Sequence, residues 1–252
     1  MGLEWERQFG APLRNWRAPV HPADDERVAR IDGRFMRLER LRPDHAEALF
    51  AQYQDAPEVW DYMPNGPFET ADALRTWIAS IADSRDPLFF AVIDLQTDTA
   101  KGVLSYLRIV PEIGSIELGW ISLAPALQGT PAATEAFIAT IRWAFEAGYR
   151  RFEWKCDALN LASRRAALRL GLSYEGVFRQ ATIYKGRNRD TAWFAAIDAE
   201  WPALSSAYDR WLAHSNFDLT GQQIARLSVL TAPVLVARDP VFDAQAGSDR
   251  GT

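Results

Sequence analysis

This chain predicts one α/β domain built around a single mixed sheet, and three observations carry the prediction. Runs with apolar residues at every second position alternate with runs at helical three-and-four spacing. Gly, Pro and Asp mark the junctions between them. No internal repeat divides the 252 residues, which leave room for one large domain or a core domain with extensions.

Residues 1–32 are rich in Pro, Arg and Asp without a clean period and read as an extended N-terminal arm. Arg34 to Leu41 reads as the first strand, with Phe35, Met36 and Leu38 set among Arg34, Arg37 and Glu39. Pro43 suits a first helical turn, and Ala46, Leu49, Phe50 and Tyr53 follow at helical spacing. Thr70 is placed to cap a second helix bearing Leu74, Trp77, Ile78 and Ile81. Between the two helices runs an aromatic, turn-rich loop from Trp60 to Phe68. Three strands are expected at Leu88 to Leu95, Gly102 to Val110 and Ser115 to Leu123. Thr130-Pro131 opens a long helix with Phe137, Ile138, Ile141 and Phe145 on one face, and Gly148 stops it. A fifth strand spans Arg151 to Asp157, and a short helix runs from Asn160 to Gly171. Two more strands follow near Tyr174 to Gln180 and Thr191 to Ile197, with a polar stretch from Tyr184 to Asp190 between them. Helical pattern returns from Trp201 to His214 and from Leu219 to Leu230, and the end past Pro240 reads as frayed. The division is thus an arm (1–32), a core domain (33–202) and a helical extension with a frayed tail (203–252).

The net charge of -5 gives no overall field drawing the chain to nucleic acid or membrane. The start lacks an apolar signal core, and no apolar run reaches the ~18 residues of a span. The lone Cys156 excludes an intrachain disulfide, and a cytoplasmic location is the expectation. Cys156 shares an apolar face with Phe152 and Trp154, so it reads as packing rather than a nucleophile. His21, His45 and His214 lack metal-ligand spacing, and no metal is expected.

The informative stretch is Ile116-Glu117-Leu118-Gly119-Trp120-Ile121-Ser122-Leu123, followed by Gln128-Gly129-Thr130-Pro131-Ala132-Ala133. A strand, a turn and a helix start follow one another. Unpaired amides and the helix dipole at such a start suit a pyrophosphate, and Gly129 permits close backbone approach. A tight turn with a Thr cap is the plainer reading of the same residues.

Together with Asn160-Leu161-Ala162-Ser163, Leu170-Gly171-Leu172, the Trp60 to Phe68 loop and the run from Phe178 to Thr191, this stretch resembles the GNAT superfamily of N-acetyltransferases, in its RimJ/RimL-like branch. The likeness covers roughly residues 33–202. It implies a mixed, mostly antiparallel sheet of about six to seven strands, with helices on both faces. The fourth and fifth strands would splay apart to admit the pantetheine arm of acetyl-CoA, the expected co-substrate. Amides at Ile121, Ser122 and Leu123 would then face pantetheine, and Gln128, Gly129, Thr130, Ala132 and Ala133 the pyrophosphate. Asn160 and Ser163 would contact the cofactor from the next helix. The family usually has a second Gly at Pro131, which has no N–H. Gln128 stands where the family often has a base.

The resemblance implies direct acetyl transfer to a primary amine of a small molecule or a peptide N-terminus. Glu117, on the strand expected to line the site, is the base, the plainer reading being a surface strand Glu. Ala167 stands where many family members have an acidic Tyr, so Ser163 is the acid; otherwise it and Asn160 merely begin a helix. Trp60, Tyr62, Phe68, Tyr184 and Asp190 would shape the acceptor side, or else pack their own loops. Arg164, Arg165 and Arg169 face either the 3′-phosphate of CoA or solvent. A catalytically weak acyl-CoA-binding or regulatory module and an unrelated α/β phosphate-binding protein are the alternatives. Trp211 and Leu212 leave an apolar face that needs cover, from the core or from a second copy in a homodimer. Neither nucleic acid nor membrane is an expected partner.

Overall fold

The computed structural model describes residue 13 and residues 15–242. Eight strands form one sheet: β1 (Arg30–Asp32), β2 (Met36–Arg40), β3 (Leu88–Asp94), β4 (Thr99–Val110), β5 (Ser115–Leu123), β6 (Arg151–Asp157), β7 (Ser173–Tyr184) and β8 (Arg187–Ile197). They lie in the order β1-β2-β3-β4-β5-β6-β8-β7. β5 and β6 pair parallel, and the other neighbours pair antiparallel. The strand beyond the expected count is β1, inside the stretch read as an arm. It pairs Arg30 with Glu39 and Asp32 with Arg37, a polar edge strand whose short length hides its period.

The sheet is covered on both faces, and β3 shows why. Leu88, Phe90 and Val92 join one buried cluster with α3 (Pro131–Glu146), α4 (Leu161–Arg169) and α5 (Trp201–Leu212). Phe89, Ala91 and Ile93 join the other, with α1 (Ala46–Tyr53) and α2 (Ala71–Ile81). A strand sandwiched this way must be apolar throughout, as Leu-Phe-Phe-Ala-Val-Ile is. The expected caps form: Thr70 accepts from the Ala73 amide at 3.1 Å, and Thr130 from Ala133 at 3.2 Å. Among the described residues no helix is long and apolar enough to cross a membrane.

The described part of the arm packs on the core: Trp16 Nε1 donates to the Gly148 carbonyl at 3.2 Å, Tyr149 donates to Val20, and Val28 is buried. Two expectations need correction. The stretch from Tyr184 to Asp190 is mostly strand. Lys185 (φ 48°) and Gly186 (φ 70°) make a two-residue turn whose positive φ angles match strand twist, so β7 and β8 continue outward as a ribbon. The second tail helix is only α6 (Leu227–Thr231). Before it, the Asp218 carboxylate accepts from the Thr220 and Gln222 amides, closing a turn through Gly221 at φ 80°. The frayed tail falls outside the described residues from 243 onward.

The face of Trp211 is covered by the chain itself. Leu204, Ala207, Tyr208 and Trp211 are buried, Tyr208 Oη donates to the Leu170 carbonyl at 2.6 Å, and Trp201 stacks on Phe145.

Candidate active site

β5 and β6 pair only from Ser115 with Arg151 to Leu118 with Trp154. Beyond that they separate, although β5 runs on to Leu123 and β6 to Asp157. The cause lies on the other side of β5. Val103 pairs with Ser122 and Ser105 with Gly119, so β5 carries an extra residue opposite β4. Trp120 takes up the irregularity at φ 49°. Such a bulge bends its strand. The Trp120 ring packs on Phe89 and Trp77, and Tyr53 Oη donates to the Ser122 carbonyl at 2.9 Å. These contacts hold the end of β5 towards the α1–α2 layer.

A cavity of about 540 Å³ occupies the gap. Gly119, Trp120 and Ile121 line it from β5; Lys155, Cys156 and Asp157 line it from β6. Asn160 at the cap of α4, Ser163 within it, Tyr62 of the aromatic loop, and Arg189, Thr191 and Trp193 of β8 also line it.

Glu117 stands on the cavity wall with its side chain only 2% exposed. Its Oε2 lies 3.3 Å from both Lys155 Nζ and Arg108 Nε, yet neither donor is aligned as a hydrogen bond. Burial raises its pKa to about 7, against the pull of the two cations. Lys155 reaches it through strand register: Glu117 pairs with Glu153, and Lys155 is two residues on, on the same face. Arg108 reaches it through a second bulge. Leu107 pairs with Glu117 and Val110 with Ser115, leaving Arg108 and Ile109 opposite one residue. Their amides donate to the Asp86 carboxylate at 2.9 and 3.0 Å, and Arg108 sits at φ 48°. Asp86 therefore pins the bulge that turns Arg108 onto Glu117.

Lys155 and Arg108 both lie over the Trp193 ring, at 5.2 and 4.9 Å from its centroid. Trp193 Nε1 and Arg189 Nε are buried without hydrogen-bond partners. Two such orphans on one cavity are donors awaiting an acceptor.

On the opposite wall Asn160 caps α4 by accepting from the Ser163 amide at 3.0 Å. The Ser163 hydroxyl accepts from Trp154 Nε1 at 2.9 Å and lies beside the Cys156 thiol. Burial pushes the Cys156 thiol up to about 11, in keeping with a packing role. Ala167, where an acidic Tyr would stand, is fully buried.

The turn to α3 is only partly as expected. Gly129 has φ 71°, and an added Cβ would meet nothing within 4 Å. The Thr130 amide donates to Leu127 at 3.3 Å, and the Ala133 amide goes to the Thr130 cap. Gly129 and Ala132 keep amides without partners among the described residues. Pro131 opens the helix and has no amide to give. Gln128 Nε2 donates to the Leu123 carbonyl at 2.9 Å and so braces the turn.

The acceptor-side expectations divide. Tyr62 lines the cavity and donates to the Leu159 carbonyl at 3.3 Å. Trp60 and Phe68 instead pack edge to face, 5.2 Å apart, in the α1–α2 core, because Gly66 folds the loop back over Trp60. Tyr184 lies behind the wall and donates to Asp157 Oδ2 at 2.8 Å. Asp190 turns away, accepting from the Gln180 amide at 2.7 Å and from Asn188, a bond that bridges the β7–β8 irregularity. Arg108, Lys155, Arg189 and Trp193 were not singled out in the sequence. The signal for Lys155 was a charge inside a buried strand, Arg151 to Asp157.

Residues 36–173 match the family model described as an acetyltransferase (GNAT) domain. The chain belongs to the GNAT acetyltransferase family. A GCN5-related N-acetyltransferase from Brucella melitensis is 42% identical, with a TM-score of 0.82 over 87% of this chain and 100% of that one. A GNAT-family probable acetyltransferase from Chromobacterium violaceum is 39% identical, with a TM-score of 0.72 over 79% and 98% of the two chains. The uncharacterized N-acetyltransferase YnaD of Bacillus subtilis is 28% identical over 60% of this chain and 86% of its own. This GNAT acetyltransferase thus carries an open cavity between the parted ends of β5 and β6.

Proposed function

We propose that this acetyltransferase moves the acetyl group of acetyl-CoA directly to a primary amine, with Glu117 as general base. The observation that carries the reading is a buried carboxyl of pKa about 7 on the wall of the cavity between the parted strands. An amine of pKa ~10 is mostly ammonium at neutral pH, and a base near pH 7 is well matched to take its proton. Bound acetyl-CoA supplies the acetyl group: the amine's C–N bond forms as the thioester C–S bond breaks. The chain supplies the rest. Glu117 accepts the amine proton. The unpaired edge of β5 past Leu118 offers backbone donors to the thioester oxygen, and the Ser163 hydroxyl serves the departing sulfur. The residues fit the co-substrate: the gap is open, Gly129 and Ala132 present amides, and the space at Gly129 admits close approach. In this reading residues 33–202 form the acetyltransferase unit and 203–252 an added segment.

Gly129→Ala tests the cradle. Its methyl meets no protein atom, so the fold should lose only ~1–2 kcal/mol for the left-handed backbone. Acetyl-CoA affinity should fall about tenfold or more, since a side chain then stands where the phosphates approach. Unchanged affinity by calorimetry would place the phosphates elsewhere.

Arg108, Lys155 and Arg189 line the acceptor end beside orphaned donors. Such a wall favours an amine that also carries an anionic group, whether a small molecule or the acidic N-terminus of a peptide. The RimJ/RimL-like resemblance keeps the peptide in the class. Thiol release from acetyl-CoA should be about tenfold faster with amino-carboxylates or amino-phosphates than with their neutral amides. Preference for polyamines would contradict this.

A further inference from the structure

A second cavity, of about 490 Å³, opens at the same turn that begins α3. Gly129 and Pro131 form one side of it, and Arg169, at the end of α4, a second. Residues past β8, Trp211, Gln223 and Arg226 among them, form the remainder. No acidic side chain lines it among the described residues. The two arginines carry the argument. The Arg169 guanidinium donates to Thr134 Oγ1 at 2.9 Å and lies 5.7 Å from the Trp211 ring centroid. Burial lowers its pKa, with no carboxylate nearby to offset the loss of water. Arg226 has no ion pair among the described residues. A partly desolvated guanidinium without a counter-charge is stabilised by whatever anion can reach it.

The wall bearing Arg226 is set in place before any ligand arrives. Asn216 is buried, donates to the Trp211 carbonyl at 2.9 Å and accepts from the Ala225 amide at 2.7 Å. Leu227 is fully buried, and Thr231 Oγ1 donates to the Arg169 carbonyl at 3.0 Å. This segment lies outside the residues matched by the family model, which end at 173.

We propose that the C-terminal segment completes the donor site, with Arg226 and Arg169 gripping the 3′-phosphorylated ADP end of acetyl-CoA beyond the pyrophosphate turn. The proposal rests on the acetyl-CoA reading above and adds a subsite to it. An anion leaving the amides of Gly129 and Ala132 enters a chamber whose only charged side chains, among the described residues, are these two arginines.

Calorimetric titration of the full chain with CoA and with 3′-dephospho-CoA tests it without knowledge of the acceptor. Wild type should bind CoA about tenfold or more tightly than the dephospho form, as a charge-assisted contact predicts. Arg226→Ala should erase that preference by weakening CoA binding alone, and Arg226→Lys should restore part of it. Equal wild-type affinity for both ligands, or an Arg226→Ala variant that keeps the preference, overturns the proposed subsite and leaves the cofactor reading standing. Binding of neither ligand overturns both.

Discussion

Glu117→Gln should lower kcat by about 10²–10⁴-fold while acetyl-CoA affinity stays within about twofold. The amide keeps the shape of the side chain and cannot take a proton. The wild-type kcat/KM should rise with pH and level off above about 7, because the base works only when ionised and burial raises its pKa to about 7. At pH 6 the ionised fraction is about one-tenth. The variant should lose that limb. A variant with near-normal kcat would make Glu117 structural. A silent enzyme with intact cofactor binding on every amine tried would favour the weak binding module, for which Pro131 and Ala167 speak. The same shift bears on stability. A carboxyl whose folded pKa lies above its unfolded value favours the fold when protonated, below about 4.5, and loses that contribution as pH rises through about 7. The uncharged amide of the Glu117→Gln variant has no such dependence, so its melting temperature should gain on wild type between pH 5 and 9.

The largest effect on stability is expected at Asp239. Its carboxylate is fully buried and takes two 2.6 Å bonds from Arg164, whose side chain is 5% exposed. Arg164 also donates to the Ala158 carbonyl at 2.6 Å, between Asp157 and Asn160 of the site. Asp239→Ala strands a buried guanidinium and should cost ~3–5 kcal/mol in denaturant unfolding. The double variant Arg164→Leu, Asp239→Leu should recover most of that, since a buried apolar pair does not suffer the desolvation. Equal losses in single and double variants would mean that packing, not charge, is what matters there. The pair and the Ala158 carbonyl engage the Arg164 guanidinium and tie the segment around Asp239 to α4.

Where local rules dominate, the fold was legible in the sequence. β6 alternates cleanly, β5 is bounded by turn formers, and both were read to their end residues. α3 has a Thr cap, a Pro at its first position and Gly148 beyond its end. What escaped depended on partners far along the chain or on turn geometry. Leu219 and Ile224 look like helix anchors but are exposed, because the Asp218 turn and Gly221 break the period. Glu117 was visible as a carboxylate in an apolar strand. Arg108 was not, since its aim depends on a bulge tied to Asp86. Trp60 and Phe68 misled because aromatic residues serve a loop core and a pocket wall equally well, and only burial separates the two. The Thr130 amide was counted as a phosphate donor, but the turn itself claims it.

A crystal structure of the acetyl-CoA complex is the most direct test. Density for the pantetheine arm should lie between residues 119–123 and 155–157, with the pyrophosphate on the amides of Gly129 and Ala132. Strands paired without a break beyond Leu118 and Trp154, or the ligand bound outside that gap, would contradict the account.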